Sequence, residues 1–530
     1  KNCEYYTCNG EIYQIELASD HLYYHLPPGS SILSVPYVAL MKLFGIKPTN
    51  ADGTYSLRSE TKIEKGLAAL LMALLAVIFF YIALIRLPPS WSAVVAVGGA
   101  LGTQVWSTAS RAMWSDTWAI VLLGIVVWML LSDASGKRKL NPYVLASLLA
   151  WTYFIRPTNA VHILAATVYV GIYYRRIFIP YAITGAAWFA AFIFYSWYNF
   201  GKLLPSYYQP NRLKFDVFWT ALAGNLISPA RGLLVYVPVI LFVGYLLVRF
   251  WKQVELKRLA LLALAIIVIY LIVVSGYGHW WAGHSYGPRF TTGLLPWLVL
   301  LSILGLEALL SWRRQRIESR QPAPWRLKLA AGGTLLLLSI AINCRGAISH
   351  ATWFWNVRPR GVDEHPERLW DWREPQFLAG WVRPPIPADV VDAAGRIDFS
   401  TVEGDKYAWF GWSFREESFR WTEGKEAGLV FKIDPVADVQ FTMKIFPFLP
   451  QGKIKEQRVH VTLNNQPIET LTLNDEKPRE VRLLLPKTLL RQSNTMVFGL
   501  PDAASPLSLG LNEDSRQLGI GLCWIQLQPG

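Results

Sequence analysis

The chain has 530 residues, of which 53% are hydrophobic and only 17% are charged. A soluble protein of this length rarely needs so much apolar surface, so the composition indicates a surface in contact with lipid. The formal charge of +14 would suit a nucleic-acid-binding protein, but much of the excess lies in short loops between apolar runs. Such loops are typical of the cytoplasmic side of a membrane protein, so we expect no nucleic-acid partner.

Ten apolar runs are candidates for helices that span a lipid bilayer, which requires about 20 apolar residues. They lie at 63–86, 91–109, 116–132, 142–155, 159–174, 178–198, 232–249, 259–276, 291–311 and 328–345. Basic residues occupy every second connection, at Arg86, 137–139, 175–176, 249–258 and 313–328. The positive-inside rule then predicts that these connections are cytoplasmic and that the C-terminal end is external.

Composition divides the chain into four parts. Residues 1–61 are predicted to form a first external loop with interfacial helices, where the run from Ser30 to Ile46, interrupted by Pro36, lies along the membrane surface. Residues 62–345 form the transmembrane domain, and 346–395 form a linker rich in Trp and Pro.

Residues 396–530 are predicted to form an external β-sandwich of jelly-roll type, because short alternating runs recur between turn signals. The predicted strands are Gly428–Ile433, Val439–Ile445, Arg458–Leu463, Ile468–Leu473, Val481–Leu485 and Leu518–Leu527. Asn464-Asn465 is the predicted turn of a hairpin.

Four arginines lie where separate spanning segments meet the external side: Arg111, Arg156, Arg231 and Arg289. A guanidinium group binds phosphate through paired donors, so these arginines are candidates to bind a phosphorylated lipid headgroup. The alternative is that they anchor helices by snorkelling or form structural ion pairs. Three neighbours of Arg289 complete the candidate set: His279, His284 and Tyr286.

Candidate catalytic acids are Asp116, at the start of a predicted span, and Glu16 and Asp20 in the first loop. An acid here would act as a general base on an acceptor hydroxyl. The alternatives are that Asp116 caps its helix and that the loop acids are simply solvated. The histidines lack zinc-ligand spacing, so no metal ligand is assigned.

Three stretches resemble the GT-C superfamily of lipid-linked sugar transferases, which includes the protein O-mannosyltransferases and the aminoarabinose transferase of lipid A. They are Tyr23 to Pro36, Leu226 to Tyr236, and Trp280 to Arg289. These stretches resemble a bacterial branch of the superfamily that has a C-terminal jelly-roll domain. Arg111 and Asp116 resemble the Arg…Asp pair of the family's second external loop. The similarity covers about residues 1–345.

The resemblance implies transfer of a sugar from a polyprenyl-phosphate donor to a glycan, lipid or protein acceptor, outside a bacterial cytoplasmic (inner) membrane. An inverting displacement is expected, in which arginines, and in some versions a divalent cation, stabilise the departing phosphate. The family's principal catalytic acid follows a first spanning helix that residues 1–61 do not contain, so this acid is expected upstream of Lys1.

The sequence allows two alternatives to an enzyme. The first is a catalytically inactive relative that acts as a scaffold within a larger membrane complex. The second, a transporter, is disfavoured because the sequence has no inverted repeat and no charged mid-membrane pair. In the β domain, Trp409, Trp412 and Trp421 are candidates for stacking on a sugar ring, with a core or docking role as the alternative.

Overall fold

The computed structural model describes residues 7–8, 11–12, 15–18, 21–50, 52–320, 325–358, 360–387, 390–393, 395–434, 436–450, 452–512 and 514–529. The chain forms two units, Lys1–Trp353 and Phe354–Gly530. The first unit is mostly helical, and the second is built from antiparallel β-sheets. The predicted order of a helical region followed by a C-terminal β domain is confirmed.

The first unit begins with two short antiparallel pairs, β1 (Thr7–Cys8) with β2 (Glu11–Ile12) and β3 (Ile15–Ala18) with β4 (His21–Tyr24). The helices that follow are α1 (Gly29–Leu43), α2 (Leu57–Leu84), α3 (Pro89–Leu101), α4 (Ser115–Ala134), α5 (Pro142–Ile155), α6 (Ala160–Tyr173), α7 (Arg175–Phe200), α8 (Phe218–Ile227), α9 (Leu233–Tyr236), α10 (Val239–Phe250), α11 (Lys257–Val274), α12 (Leu295–Glu318), α13 (Trp325–Ile348) and α14 (His350–Phe354). A π-helical turn spans Val105–Ala109, and a 3₁₀ stretch, Arg289–Leu294, runs directly into α12.

Six helices of the described residues are long and apolar enough to cross a membrane. They are α2, α4, α7, α11, the continuous stretch Arg289–Glu318, and α13. The other four predicted spans correspond to α3, α5, α6 and α10, which have 12 to 14 residues each. All ten predicted runs are therefore helical, while ten membrane crossings stay a prediction.

Helix α2 shows why these segments are helical and what they bury. Ser56 caps it by accepting a hydrogen bond from the Ser59 amide at 3.4 Å, which satisfies one of the unpaired donors of the first turn. One face is buried at helical spacing through Leu67, Leu71, Leu75 and Phe79. The opposite face is also apolar but exposed, at Leu70, Leu74, Val77 and Tyr81. An exposed apolar face of this size is what a lipid-contacting helix requires.

The second unit contains β5 (Arg396–Asp398), β6 (Ala408–Phe410), β7 (Trp412–Arg415), β8 (Arg420–Glu423), β9 (Glu426–Lys432), β10 (Val439–Pro447), β11 (Gln457–Leu463), β12 (Gln466–Leu473), β13 (Arg479–Leu485), β14 (Ser493–Gly499) and β15 (Leu518–Pro529), with the short helix α15 (Val402–Asp405). One antiparallel sheet has the order β13-β10-β15-β8-β7, with β5 also paired to β15; the other has the order β12-β11-β14-β9-β6. The six predicted strands are all present.

The two sheets of this unit share one hydrophobic core. It includes Phe441 and Ile525 from the first sheet and Phe431, Val459 and Phe498 from the second. Successive side chains of a strand point to opposite faces, so Phe441 and Val459 point into the core between polar neighbours on their strands. The unit is therefore a β-sandwich with its core between the sheets.

The predicted hairpin at Asn464-Asn465 is confirmed. These residues join β11 to β12, and both have a positive φ, 51° and 69°. Such a two-residue turn needs a left-handed backbone at both positions, which Asn tolerates better than most residues. The Asn464 amide also donates to Leu489 O at 2.8 Å, which ties the turn to a neighbouring segment.

Residues 354–387 pack within the second unit, although the sequence predicted a linker over 346–395. The centre of this segment is Arg368, whose guanidinium donates to Trp355 O at 3.0 Å, to Arg358 O at 3.1 Å and to Glu374 Oε1 at 2.5 Å. The Trp355 indole in turn donates to Glu374 O at 3.1 Å. Backbone carbonyls thus surround a charged side chain, and the segment is held in a defined shape rather than left as a spacer.

The alternation of β13 predicts a large difference between two neighbouring leucines. Leu483 is 1% exposed and Leu484 is 59% exposed. We expect Leu483→Ala to lower the free energy of unfolding of the β unit by about 2–5 kcal/mol, because it leaves a cavity in the core. Leu484→Ala is the matched control and should change it by less than about 0.5 kcal/mol. Hydrogen exchange of residues 396–529 in the full chain measures both; equal effects would contradict the sandwich.

A second prediction concerns acid stability. Two bonds from Arg458, at 2.7 and 2.8 Å, hold the pKa of Asp502 down to about 2. A lowered folded-state pKa gives stability that is complete above the ordinary pKa of about 3.9 and is lost as the pH falls toward 2. Asp502→Asn and Arg458→Met should each lower stability at pH 7 and flatten its dependence between pH 4 and 2. Denaturant titrations across that range test this, and an unchanged pH slope would contradict it.

Candidate functional site

The candidate site begins with Asp116, in the first turn of α4. Trp114 is the residue that precedes the helix, and its side chain makes no capping hydrogen bond to the first turn. Asp116 is therefore not the helix cap that the sequence allowed as an alternative. Its carboxyl group is buried, and an acid in the first turn is favoured by the partial positive charge of the helix N-terminus.

Arg156 reaches Asp116 because α5 stops at a proline. Pro157 disfavours a helical conformation in the residue before it, and Arg156 accordingly has an extended backbone, with φ −156° and ψ 125°. From that position its Nη1 donates to Asp116 Oδ1 in a buried salt bridge. The two residues are 40 positions apart, so the ion pair joins the start of α4 to the end of α5.

Arg289 comes from a third segment, the turn that precedes α12. Gly287 in this turn has φ +61°, and a Cβ there would lie 2.6 Å from the Tyr236 ring, so only glycine fits. The Arg289 Nε lies 3.8 Å from Asp116 Oδ2, and its guanidinium stacks 3.7 Å from the centre of the Trp114 ring. Its side chain is 19% exposed, which leaves it accessible to a ligand.

Asp116, Arg156 and Arg289 form what we call the arginine cluster. Two guanidinium groups and one carboxylate leave it with one net positive charge. Phe290 lies against the Arg156 guanidinium at 5.2 Å, as Trp114 does against Arg289. Aromatic faces stabilise cations and exclude water, which strengthens electrostatic interactions at the site. The cluster is therefore suited to bind an anion with a single negative charge.

Asp116 orders this cluster. Its Oδ1 pairs with the Arg156 guanidinium, and its Oδ2 lies 3.8 Å from the Arg289 Nε. Its position fixes both arginines at one end of the helices. Asp116 therefore contacts both arginines, and the proton transfer that the sequence assigned to it stays a prediction.

Two of the predicted phosphate ligands hold the protein's own backbone. Arg231 is buried and donates to Trp281 O at 2.8 Å, Ala230 O at 2.9 Å and Gly283 O at 3.2 Å. Tyr286 is buried and donates from its hydroxyl to Ile342 O at 2.6 Å. Both side chains shape the loop that leads into Arg289, and the ligand contacts that the sequence suggested for them stay predictions.

The remaining predicted residues lie outside the arginine cluster. Arg111, His279 and His284 are exposed, and the His279 ring packs 4.9 Å from the Trp281 ring. Glu16 lies in β3, where only the backbone is described, and Asp20 lies outside the described residues. Their suggested roles stay predictions.

The three candidate sugar-stacking tryptophans differ in exposure. Trp412 belongs to the sandwich core and donates to Gly428 O at 2.7 Å, so it presents no free face to a sugar. Trp409 is buried and donates to Pro384 O at 2.9 Å. Trp421 is half-buried against Phe446, with ring centres 5.1 Å apart. For Trp412 the core alternative applies, while Trp421 keeps part of its ring accessible.

The sequence did not single out the residues that surround the arginine cluster. Trp114 and Phe290 each neighbour a predicted residue, but only the folded chain shows that they cover its guanidinium groups. The Tyr270 hydroxyl lies 3.2 Å from that of Thr158, two residues after Arg156. A polar residue within an apolar run, as Tyr270 is in α11, was the available signal for it.

Within the part of the chain that the structure describes, no three His, Cys, Asp or Glu side chains are grouped as metal ligands. The side chain of Glu16 and the whole of Asp20 are not among the residues considered. A divalent cation at this site therefore remains a prediction of the family resemblance, with no described ligand set to support it.

Neither a family model nor a curated protein sequence matches the chain. Seven chains of solved structures match. One is described as a novel family GH115 4-O-methyl-alpha-glucuronidase with specificity for decorated arabinogalactans; it is 13% identical, with a TM-score of 0.18. The match covers 78% of this chain and 44% of that one, so the chain spans less than half its length. A TM-score this low does not indicate a shared fold, and no argument rests on it.

The arginine cluster predicts a specific pattern of stability changes. Asp116→Asn leaves two buried guanidinium groups without a counter-charge and should lower the free energy of unfolding by about 3–5 kcal/mol. The double variant Asp116→Asn/Arg156→Met removes both partners of the salt bridge and should recover part of that loss. Thermal unfolding in detergent, followed by circular dichroism, compares the two. A stable Asp116→Asn protein would contradict the cluster.

Proposed function

We propose that the chain is a multi-pass membrane glycosyltransferase that uses a polyprenyl-phosphate-linked sugar donor. The observation that carries the proposal is the arginine cluster, where two guanidinium groups from separate segments share one carboxylate and Arg289 stays partly exposed. A sugar phosphodiester has one negative charge, which balances the cluster's net charge. The resemblance of residues 1–345 to the GT-C superfamily supports the same assignment.

In this proposal the arginines stabilise negative charge on the phosphate as the sugar is transferred. Donors that are held in place before the reaction stabilise developing charge without reorganisation. Asp116 fixes their positions. The acceptor is a glycan, a lipid or a protein, and its hydroxyl is deprotonated by a carboxylate outside the arginine cluster, for which Glu16 and Asp20 are the candidates in this sequence.

The proposed setting is a bacterial cytoplasmic (inner) membrane, with ten crossings and the β unit on the external side. The six long apolar helices support a membrane setting, and the basic connections support the orientation. Shorter helices such as α5 cross only part of a bilayer by length, since each residue adds about 1.5 Å. For these helices we propose that flanking polar residues at the interface complete the crossing.

We also propose that the β unit is a jelly roll. From β8 to β15 the chain changes sheets at every connection except the β11–β12 hairpin, which gives the orders β8-β15-β10-β13 and β9-β14-β11-β12. Two four-stranded sheets with such crossing connections are typical of this fold. Carbohydrate-binding jelly rolls suggest a role in holding an acceptor glycan, with Trp421 as the stacking candidate that keeps some exposure.

A second candidate function is a catalytically inactive scaffold within a membrane complex. The observation in its favour is that Asp116, the acid best placed at the site, is engaged by two arginines. A scaffold of this kind would retain the fold and the arginine cluster but would show no sugar transfer with any donor.

Transfer assays on the purified chain in lipid nanodiscs test the enzyme. With radiolabelled polyprenyl-phosphate hexoses and pentoses, Arg289→Ala and Arg156→Ala should each reduce turnover about 100-fold, as loss of a transition-state donor does. The matched control is Arg138→Ala, an exposed arginine beyond the opposite end of α4, which should be within about twofold of the wild type. No turnover with any of these donors, together with no bound lipid phosphate, would rule out the enzyme.

A further inference from the structure

The turn that carries Arg289 is held from inside the helical unit by one buried amide. Gln104 is fully buried, and its Nε2 donates to Pro288 O at 3.2 Å and to Thr291 Oγ1 at 3.1 Å. The Thr291 hydroxyl donates to Pro288 O at 2.9 Å. The three bonds form a closed triangle around the start of the 3₁₀ stretch, with Arg289 and Phe290 between its corners.

Both residues inside this triangle take part in the site, because Arg289 belongs to the arginine cluster and Phe290 contacts it. Arg289 stacks on Trp114 and faces Asp116, while Phe290 lies against the Arg156 guanidinium. A shift of the turn would therefore disturb both guanidinium groups at once. Because phosphate binding by arginine depends on the direction of the donors, a displacement of about 1 Å is enough to weaken it.

The segment that contains Gln104 also holds the beginning of the same loop. Gln104 directly precedes the π-helical turn Val105–Ala109, and Thr108 within that turn donates to Tyr286 O at 2.9 Å. A π-helical turn inside an apolar helical region is uncommon and is often found next to functional sites. Here the segment 104–108 supplies two polar side chains that hold the two ends of the loop 286–291: Thr108 bonds to Tyr286, and Gln104 bonds to Pro288 and Thr291.

Stability alone does not explain a glutamine at this position. Its Oε1 is buried and has no hydrogen-bond partner among the described residues. A buried polar atom without a partner costs about 1–3 kcal/mol, and an apolar side chain of similar size would avoid this cost. The donors of the amide, by contrast, are both used on the turn.

We infer that Gln104 is a positioning residue that holds Arg289 and Phe290 in the geometry needed to bind phosphate. The inference rests on the proposed function, because it assigns Gln104 to the same phosphate-binding site. It adds a residue that touches neither the ligand nor Asp116 and acts only through the turn.

Isothermal titration calorimetry of the full chain in detergent with geranyl phosphate tests this role. Gln104→Met keeps the size of the side chain and removes both hydrogen bonds; we expect about tenfold weaker binding, as the loss of two such bonds implies. In an Arg289→Ala background the same change should have a clearly smaller effect, since one of the two guanidinium groups that it disturbs is already absent. A residue that merely stabilised the fold would weaken binding equally in both backgrounds.

The matched control is Ser107→Ala. Ser107 lies in the same π-helical turn and donates to Asn343 Oδ1 at 2.6 Å, away from the Arg289 turn. It should bind geranyl phosphate as the wild type does, within about twofold. If Gln104→Met fails to fold, Thr291→Val removes two sides of the triangle at constant volume and keeps the bond from Gln104 to Pro288 O; it should weaken binding about threefold.

The outcomes separate the inference from the proposed function. Wild-type protein that binds geranyl phosphate, with Gln104→Met or its substitute Thr291→Val binding equally well, would overturn the positioning role and leave the proposed function standing. Additive effects of Gln104→Met and Arg289→Ala would also overturn it. Wild-type protein that binds no geranyl phosphate would overturn the proposed function and the inference together.

Discussion

The helical unit depends on one buried carboxylate between two guanidinium groups. Asp116 pairs with Arg156 and faces Arg289, and each residue comes from a different segment. Removing charges from water is costly, so this cluster forms only if all three segments are placed correctly. Its geometry therefore constrains the start of α4, the end of α5 and the turn before α12 together. Pro157 allows the extended end of α5, and Gly287 allows the turn before α12.

Nearby polar groups support the loops around this cluster. Arg231 holds two carbonyls of the loop before Arg289, those of Trp281 and Gly283, and Gln104 holds the turn that follows. Polar side chains inside an apolar helical unit are costly unless they are paired, and most of these are paired with backbone. Arg231 and Gln104 thus support a region of the unit where the chain is not regular helix.

The sequence predicted the elements better than their contacts. Apolar runs and alternation report burial directly, which is why all ten predicted helices and all six predicted strands are present. The missed strands include β7, which has only four residues, and β14, which begins with three polar residues. The run 142–155 was predicted with the bounds of α5, whereas the run 91–109 was predicted as one helix although α3 ends at Leu101 and a π-helical turn follows.

The candidate site was predicted in part, for a physical reason. An ionisable residue near an apolar run is visible in the sequence, so Asp116, Arg156 and Arg289 were all singled out. Whether such a residue meets a ligand, another side chain or a backbone carbonyl depends on contacts between distant segments. Arg231 and Arg289 look alike in the sequence, yet one binds backbone carbonyls of the loop at 281–283 and the other stacks on Trp114. Trp412 and Trp421 likewise look alike in the sequence, yet the first is buried in the sandwich core and the second is half-buried.

The stacking of Arg289 on Trp114 has a consequence for the kinetics of binding. The indole already covers one face of the guanidinium at 3.7 Å, so water has been removed from that face before any ligand arrives. It also restricts the rotamers of a long side chain that would otherwise lose them on binding. An incoming anion then displaces fewer waters and immobilises less of the protein. Differences in affinity between anions should therefore lie mainly in how long each stays bound, and less in how fast it arrives.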